Sequence, residues 1–355
     1  MSVLLNSVLP FVVILVLLVL VHETGHFVAA KLSGVRVLEF GVGFPPRVGA
    51  FKFRGTEYSL NALPLGGFVR LHGEEDPTEP GSLASRPRPL RLFVLSAGAL
   101  SNLVFAVLLF SASFMIPQQV SVGRAVINQV LPDTPAAAAG LQTADVIYKI
   151  NGRDIENIAD ASYNIRLNLG ETMAVTVKRG SEFLNFNVKA RWVPPSGQGP
   201  TGIVIGAQYP FTETQSYAPW TALRLGTRET FDSLKLARNE VIAWIKGATS
   251  PQVAGPVGMA QMTGEVVKEA GWKSLVDFAA LISINLAVIN ILPLPFLDGG
   301  RIVFVLVEVM RRGRRIAPQK EALVHFAGLV VLMTFVVVIS YFDIARLIRG
   351  ENIFR

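Results

Sequence analysis

Apolar residues gather along this chain in four long runs, and between them the polarity alternates on shorter periods. The first run extends from Val3 to about Ala30 and is strongest over Leu9–Val21. The others cover Leu92–Ile116, Phe278–Leu297 and Ala322–Phe342. Each has the roughly 20 apolar residues that a helix needs to cross the hydrocarbon core of a bilayer, so the pattern predicts four membrane-spanning helices. The second and third runs hold no charged residue, and the fourth holds none beyond any charge on His325. A secretory signal peptide begins with basic residues. No Lys or Arg precedes Lys31 here, so the first run is read as a retained span.

Between the first two runs, Phe51-Lys52-Phe53-Arg54 alternates, and after Gly55 the residues Tyr58, Leu60 and Ala62 alternate with Glu57, Ser59 and Asn61. This period of two predicts a β-hairpin. Pro64 and Gly66-Gly67 end it, residues 67–71 form a further short strand, and 74–90 read as a polar linker. The long segment after the second run opens with a module at about 121–190. Strands are expected at Arg124–Val130, Val146–Ile150, Met173–Lys178 and Phe183–Lys189, with a helix at Ala159–Leu169. Pro135–Leu141, then Asp145-Val-Ile, then Ile150-Asn-Gly152 give this module the look of a PDZ domain, although Ala144 stands where a glycine is usual. Residues 193–202 form a Pro- and Gly-rich linker. Over 218–247, Trp220, Leu223, Phe231, Leu234, Val241, Trp244 and Ile245 recur at helical spacing. One or two amphipathic helices follow, lying at the membrane surface or packed on the module; the pattern leaves both open.

Composition agrees with the runs. The chain of 355 residues is 51% hydrophobic and only 17% charged, which is too apolar for an ordinary soluble protein. The net charge of +7 is concentrated where it sets orientation. Arg36, Arg47, Lys52, Arg54, Arg70, Arg86 and Arg88 lie between the first two runs, and Arg311-Arg312-Gly313-Arg314-Arg315 between the last two. Both segments are expected in the cytoplasm, leaving the termini and about 117–275 outside. The basic excess is thereby a topology signal and implies no nucleic-acid partner. With no cysteine there is neither a disulfide framework nor a thiolate metal site, and a metal must use His, Asp or Glu.

His22-Glu23-Thr24-Gly25-His26 matches the H-E-x-x-H zinc pattern. On a helix, residues four apart are about 6 Å apart along the axis and about 40° apart around it, so both imidazoles reach one ion. Glu23, about 100° from His22, stands beside the ion as a general base for water. Two interfacial histidines with a snorkelling Glu23 also fit the pattern. The setting favours the metal: an ionisable group at mid-bilayer costs about 2.5–3.5 kcal/mol on insertion scales, and such groups persist where they bind an ion, pair or line a wet cavity. Hydrolytic zinc takes three protein ligands and keeps one position open. The candidate for the third is Asp298, in Asn290-Ile-Leu-Pro293-Leu-Pro295-Phe-Leu-Asp298-Gly-Gly300. Pro293 and Pro295 interrupt the apolar run and free backbone groups, which is tolerated at membrane depth only inside protein or beside water. Gly299-Gly300 permit a tight turn that aims Asp298 inward; a helix-capping Asp298 is the alternative. Asn290 suits a substrate backbone or an oxyanion, or else a contact between helices. Asn290, Pro293 and Pro295 form the candidate substrate-binding group.

With these motifs in this order on membrane spans, the chain resembles the site-2 protease family, most closely its bacterial RseP-type zinc proteases. The likeness takes in the His22–His26 motif, Phe40-Gly-Val-Gly-Phe44, Gly66-Gly-Phe-Val-Arg70, Ala97-Gly98 through Asn102, the PDZ-like module, Gly255-Pro-Val-Gly258 and Asn290 through Gly300. It implies His22, His26 and Asp298 as ligands of Zn2+ and Glu23 as catalytic, and it adds Asn102 to the substrate-binding candidates. It also implies a cytoplasm-side active site, an external PDZ domain that screens substrates, and a place in the bacterial cytoplasmic (inner) membrane. The implied partners are the lipid bilayer and single-pass membrane proteins, such as anti-sigma factors or signal-peptide remnants, cut within their spans. Ala99 stands where the family commonly has proline, and one PDZ domain is seen where some relatives have two.

The expected fold is an α-helical polytopic membrane protein with a cytoplasmic β-hairpin region and an inserted extracytoplasmic PDZ (α+β) domain. Its parts are a first span with the zinc motif (1–31), the hairpin region and linker (32–90), the second span (91–116), the PDZ domain (121–192), a linker with amphipathic helices (193–275), a third span with the Asp ligand (276–310), a basic loop (311–321) and a fourth span (322–345). The expected chemistry is direct hydrolysis with no acyl-enzyme, on a substrate helix unwound and paired by strand addition to the hairpin at 51–62 or the strand at 67–71. Two rival classes are a catalytically inactive PDZ membrane scaffold, opposed by the intact ligand positions, and a transporter or channel, opposed by the lack of a paired inverted repeat. No motif encodes an oligomeric state.

Overall fold

The computed structural model describes residues 4–74, 81–250, 254–271 and 274–349. A π-helical turn (Leu4–Val8) leads into α1 (Leu9–Leu32), followed by strands β1 (Val37–Phe53) and β2 (Thr56–Leu71) and by α2 (Arg88–Met115). Next come β3 (Gln118–Val130), α3 (Pro135–Ala139), β4 (Val146–Ile150), β5 (Arg153–Asp154), α4 (Ile158–Leu167), β6 (Thr172–Arg179), β7 (Glu182–Lys189), β8 (Ile203–Gln215) and α5 (Pro219–Ile245). The chain closes with α6 (Pro256–Ala270), α7 (Ser274–Ile291), α8 (Asp298–Met310) and α9 (Pro318–Ile348). It divides into two compact units, Met1–Ser113 with Val253–Arg355, and Phe114–Gln252.

Among the described residues, four helices are long and apolar enough to cross a membrane: Asn6–Leu32, Arg88–Met115, Ser274–Ile291 and Pro318–Ile348. Ile14 and Leu18 of α1 pack with Ala279 and Ile282 of α7, while Ala29, Ala30, Val94 and Val305 join α1, α2 and α8. The third span, expected over 276–310 with an interruption at Pro293 and Pro295, is broken there: α7 ends at Ile291 and α8 begins at Asp298. Pro293 and Pro295 account for the break, because neither has an N–H to continue the helical ladder. At the other end of α8, Glu308 receives Arg91 at 2.6 Å, Arg88 at 3.1 Å and Arg315 at 3.3 Å, which ties α8 to the start of α2.

The region after α1 is more ordered than a hairpin. β1 and β2 pair in a register that doubles back. Glu39–Val42 lie opposite Arg70–Gly67 on one side and opposite Glu57–Leu60 on the other, while Arg47–Phe53 run against Asn61–Thr56. The ribbon is thus four segments wide, in the order 47–53, 56–61, 37–42, 67–71. The expected hairpin at 51–62 is its tip, and the expected strand at 67–71 is the outer segment formed by the end of β2. In the linker expected at 74–90, residues 75–80 lie outside the described residues and Arg88 already opens α2.

The second unit is a six-stranded antiparallel sheet in the order β7-β6-β4-β3-β8, with β5 beside β4. Its core includes Ala125, Ile127, Ile147, Ile150, Met173 and Val188. The expected boundary at 192 falls short, because β8 pairs with β3 from Gln118↔Gln215 to Val130↔Ile203. Pro210 and the polar residues of 208–215 leave this strand without the alternating apolar face that marks a strand in sequence. Ala144 takes the left-handed backbone, φ +71, that a glycine there would adopt without strain. Helix α5 docks against its own unit, and it does so with its polar side. Arg153 holds Asp232 bidentately at 2.5 and 2.8 Å. Tyr163 donates to Glu229 at 2.8 Å, and Asn239 donates to the carbonyls of Arg166 and Leu167. Burial, with Glu229 beside it, pushes the Tyr163 phenol up. Trp220, Phe231 and Ile245 stay exposed, so the apolar stripe points away from the sheet.

Helix α6 is held to α9 through one carboxylate. Asp343, 1% exposed, accepts the Gly255 and Gly258 N–H groups at 2.9 Å each, which caps the first turn of α6 as an acidic side chain caps a helix N-terminus. Hydrogen bonds to charged groups contribute about 1.5–3 kcal/mol. Asp343→Ala is therefore expected to speed amide exchange in the peptide covering Gly255–Gly258 at least about tenfold, measured by hydrogen-exchange mass spectrometry. Unchanged exchange would remove Asp343 as the cap.

Candidate metal centre

The site lies in the first unit, where α1, α2, α7 and α8 meet. His22 and His26 come from consecutive turns of α1, with ring centroids 4.8 Å apart and planes at 77°. Asp298 is the first residue of α8, and its Oδ2 lies 3.1 Å from His22 Nε2 and 3.2 Å from His26 Nε2. The two Nε2 atoms are themselves 3.2 Å apart. Three ligand atoms thus form a nearly equilateral triangle. Bonds of about 2.0–2.1 Å to a tetrahedral zinc would place ligand atoms about 3.3 Å apart, so the observed edges fit that ion. Among the described residues, this is the group of His, Asp and Glu side chains that could hold a metal. The hydrogen bonding agrees with the fit. His26 Nδ1 donates to the Val94 carbonyl at 2.8 Å, which leaves the Nε2 lone pair free to face the other two ligands.

Close packing of small residues makes the convergence possible. Gly98 of α2 lies directly against the imidazoles: a Cβ there would stand 2.5 Å from His22 Cε1 and still nearer His26 Nε2. Gly25 of α1 likewise sits on the Ala97 carbonyl and Ser101 hydroxyl, with no room for a side chain. Gly299 and Gly300 press the first turn of α8 onto the carbonyls of Ile291, Leu292 and Leu294, which brings Asp298 back towards α1. These close approaches follow the small-residue packing of membrane helices. In the sequence Gly98 is marked only by the family likeness; the run Ala97-Gly98-Ala99 in an apolar helix is its physical signal.

The other sequence candidates fall at different distances. Glu23 is partly buried on α1, outside the triangle. It neighbours Gly67 of the outer ribbon segment, where a Cβ would be 3.7 Å from Glu23 Cγ. Asn290 of α7 reaches the site: its Nδ2 stands 3.5 Å from His22 Nδ1. Pro293 and Pro295 lie in the break between α7 and α8, with Leu292, Leu294 and Phe296 exposed around them. Asn102, one turn beyond Gly98, is fully buried. Neither of its amide atoms has a hydrogen-bond partner among the described residues, and Ser283 of α7 donates to its carbonyl at 2.8 Å.

Comparison with known proteins gives this arrangement a context. The model of peptidase family M50 matches residues 10–335. A protein of Nostoc sp. is 36% identical over 343 residues, covering 92% of this chain and 93% of its own. Membrane metalloprotease ARASP of Arabidopsis thaliana chloroplasts is 30% identical and covers 92% of this chain and 76% of its own. Zinc metalloprotease RasP of Oceanobacillus iheyensis is 28% identical, covering 96% and 99%.

Gly98→Ala is the most selective probe of the packing. One methyl group, placed against both imidazoles, is expected to lower the zinc content of the purified protein at least about tenfold, the size of effect seen when support around a metal site is lost. Mass-spectrometric metal analysis reads it. Full zinc occupancy in that variant would mean that the metal is held elsewhere.

Proposed function

The chain belongs to peptidase family M50, and on that premise we propose how its residues divide the work of an intramembrane zinc metalloprotease. The observation that carries the proposal is the triangle of His22 Nε2, His26 Nε2 and Asp298 Oδ2, with Glu23 beside it and outside it. His22, His26 and Asp298 hold the zinc. When bound, zinc supplies Lewis acidity, polarising a carbonyl and lowering the pKa of water. Glu23 takes the proton of the attacking water at its carboxylate and passes it to the leaving amine. Asn290, next to His22, binds the substrate backbone or the developing oxyanion.

A peptide bond in a helix is hidden in i to i−4 hydrogen bonds, so a membrane-spanning substrate must unwind before it is cut. The outer ribbon segment 67–71 supports a place for the unwound strand. Among the described residues it pairs as a strand only with 37–42, and it passes beside Glu23. A strand added to its free edge would run past the base. The other outer segment, 47–53, lies three segments away, which favours 67–71 over the 51–62 hairpin. Pro293 and Pro295 leave the backbone between α7 and α8 irregular, a second surface that an extended substrate can meet.

The chain is a multi-pass membrane protein, and we infer a bacterial inner membrane with residues 32–90 and 311–321 in the cytoplasm. Support comes from the arginine-rich segments and the positive-inside rule. The second unit is read as a single extracytoplasmic PDZ domain, extended by β8 and α5. Its short helix α3 between β3 and β4, and α4 between β5 and β6, support that reading. Single-pass membrane proteins are the proposed substrates.

Two experiments test the proposal. Glu23→Gln is expected to keep stoichiometric zinc and lose cleavage of a membrane substrate by at least about 100-fold, whereas Asp298→Ala loses zinc as well; normal turnover by Glu23→Gln would sink the assignment of the base. For orientation, the lack of cysteine allows single cysteines to be placed at the exposed Ser181 and Lys52. An impermeant maleimide applied to intact cells should label the first and spare the second, and the reverse pattern overturns the topology.

A further inference from the structure

The metal-bearing turn between α7 and α8 carries an unusual backbone. Phe296, two residues before Asp298, adopts φ +77, the left-handed region that side-chain-bearing residues disfavour. Something must hold it there, and the fourth helix supplies the grip. The Phe296 N–H donates to His325 Nδ1 at 2.8 Å. One turn along α9, Gly328 lies directly on Pro295, where a Cβ would stand 2.9 Å from the proline carbonyl and nearer still to its ring. His325 is itself fixed: its side chain is 11% exposed, and its ring lies 5.3 Å from that of Phe304 on α8. Its Nδ1 accepts a hydrogen bond, so the ring proton is on Nε2, which lies 4.0 Å from Glu321 Oε1. In the sequence His325 stands only as a possible charge within the fourth apolar run. Nothing in the metal triangle or in the proposed proton transfer uses it.

We propose that His325 is a positioning residue for the zinc site. By accepting the Phe296 N–H it fixes the left-handed turn, and the turn sets the point at which Asp298 enters α8 and meets His22 and His26. The fourth helix contributes no ligand, yet the third ligand stands where α9 holds it. This rests on the reading of Asp298 as a zinc ligand.

The test compares His325→Ala, His325→Asn and His325→Gln in the full-length protein in detergent. The readouts are zinc affinity by chelator competition, cleavage of a membrane substrate, and thermal unfolding as a check on the fold. Asparagine keeps an acceptor where Nδ1 stands, and glutamine moves it towards the place of Nε2. The expected result is that His325→Ala and His325→Gln weaken zinc binding about 10- to 100-fold, the range for partners that orient metal ligands. His325→Asn should stay within a few-fold of wild type, and cleavage at limiting zinc should follow the same order. Equal zinc affinity for the Asn and Gln variants would overturn the proposal, and that comparison stands even if the Ala variant does not fold. Asp298→Ala, run alongside, separates the two readings. If it loses zinc while every His325 variant keeps it, His325 alone is excluded. If Asp298→Ala keeps its zinc, the ligand assignment fails and the positioning role falls with it.

Discussion

Two imidazoles and a carboxylate, their lone pairs aimed at one point among apolar membrane helices, form the constraint on which the first unit is built. Each group is costly at that depth unless paired or bound to an ion. The edges of the triangle, 3.1 to 3.2 Å, match the spacing that a tetrahedral zinc imposes. Much of the surrounding structure supports this convergence. The Val94 carbonyl fixes the tautomer of His26. Gly98 and Gly25 let α1 and α2 approach until the imidazoles touch backbone. Gly299 and Gly300 fold the start of α8 back on the end of α7.

The break in the third apolar run follows from the same need. A continuous helix would keep its polar backbone satisfied, but it would present Asp298 only as one side chain on a cylinder. Pro293 and Pro295 stop α7, and the turn that follows places Asp298 at the start of a new helix. Freed backbone groups at that depth must be covered by protein or water. His325 meets part of that requirement for Phe296, and Gly328 allows α9 to lie close enough to do so.

What was legible in the sequence follows from how local each signal is. The four spans and the His22–His26 motif depend on composition and on a spacing of four residues, and both can be read from one stretch of chain. Asp298 stands out because prolines and paired glycines in an apolar run are difficult to explain otherwise. The doubled register of β1 and β2 was not legible, since it depends on Glu39–Val42 pairing with two distant segments at once. Strand β8 shows no strand pattern in the sequence because much of it is polar and exposed. In α5 the pattern of apolar residues gives the helix but leaves open which face docks. Ion pairs and hydrogen bonds to Asp232, Glu229 and Asn239 hold the helix, and its apolar face is left exposed. Gly98 carries no chemistry of its own, and its importance appears only when the imidazoles are placed against it.

The most direct test of the central claim is zinc K-edge X-ray absorption on the purified, catalytically active protein. Two histidines and one aspartate predict a four-coordinate ion with two imidazoles and oxygen donors at about 2.0–2.2 Å. A shell with a single imidazole, or with a third one drawn from His72 or His325, would contradict the site described here.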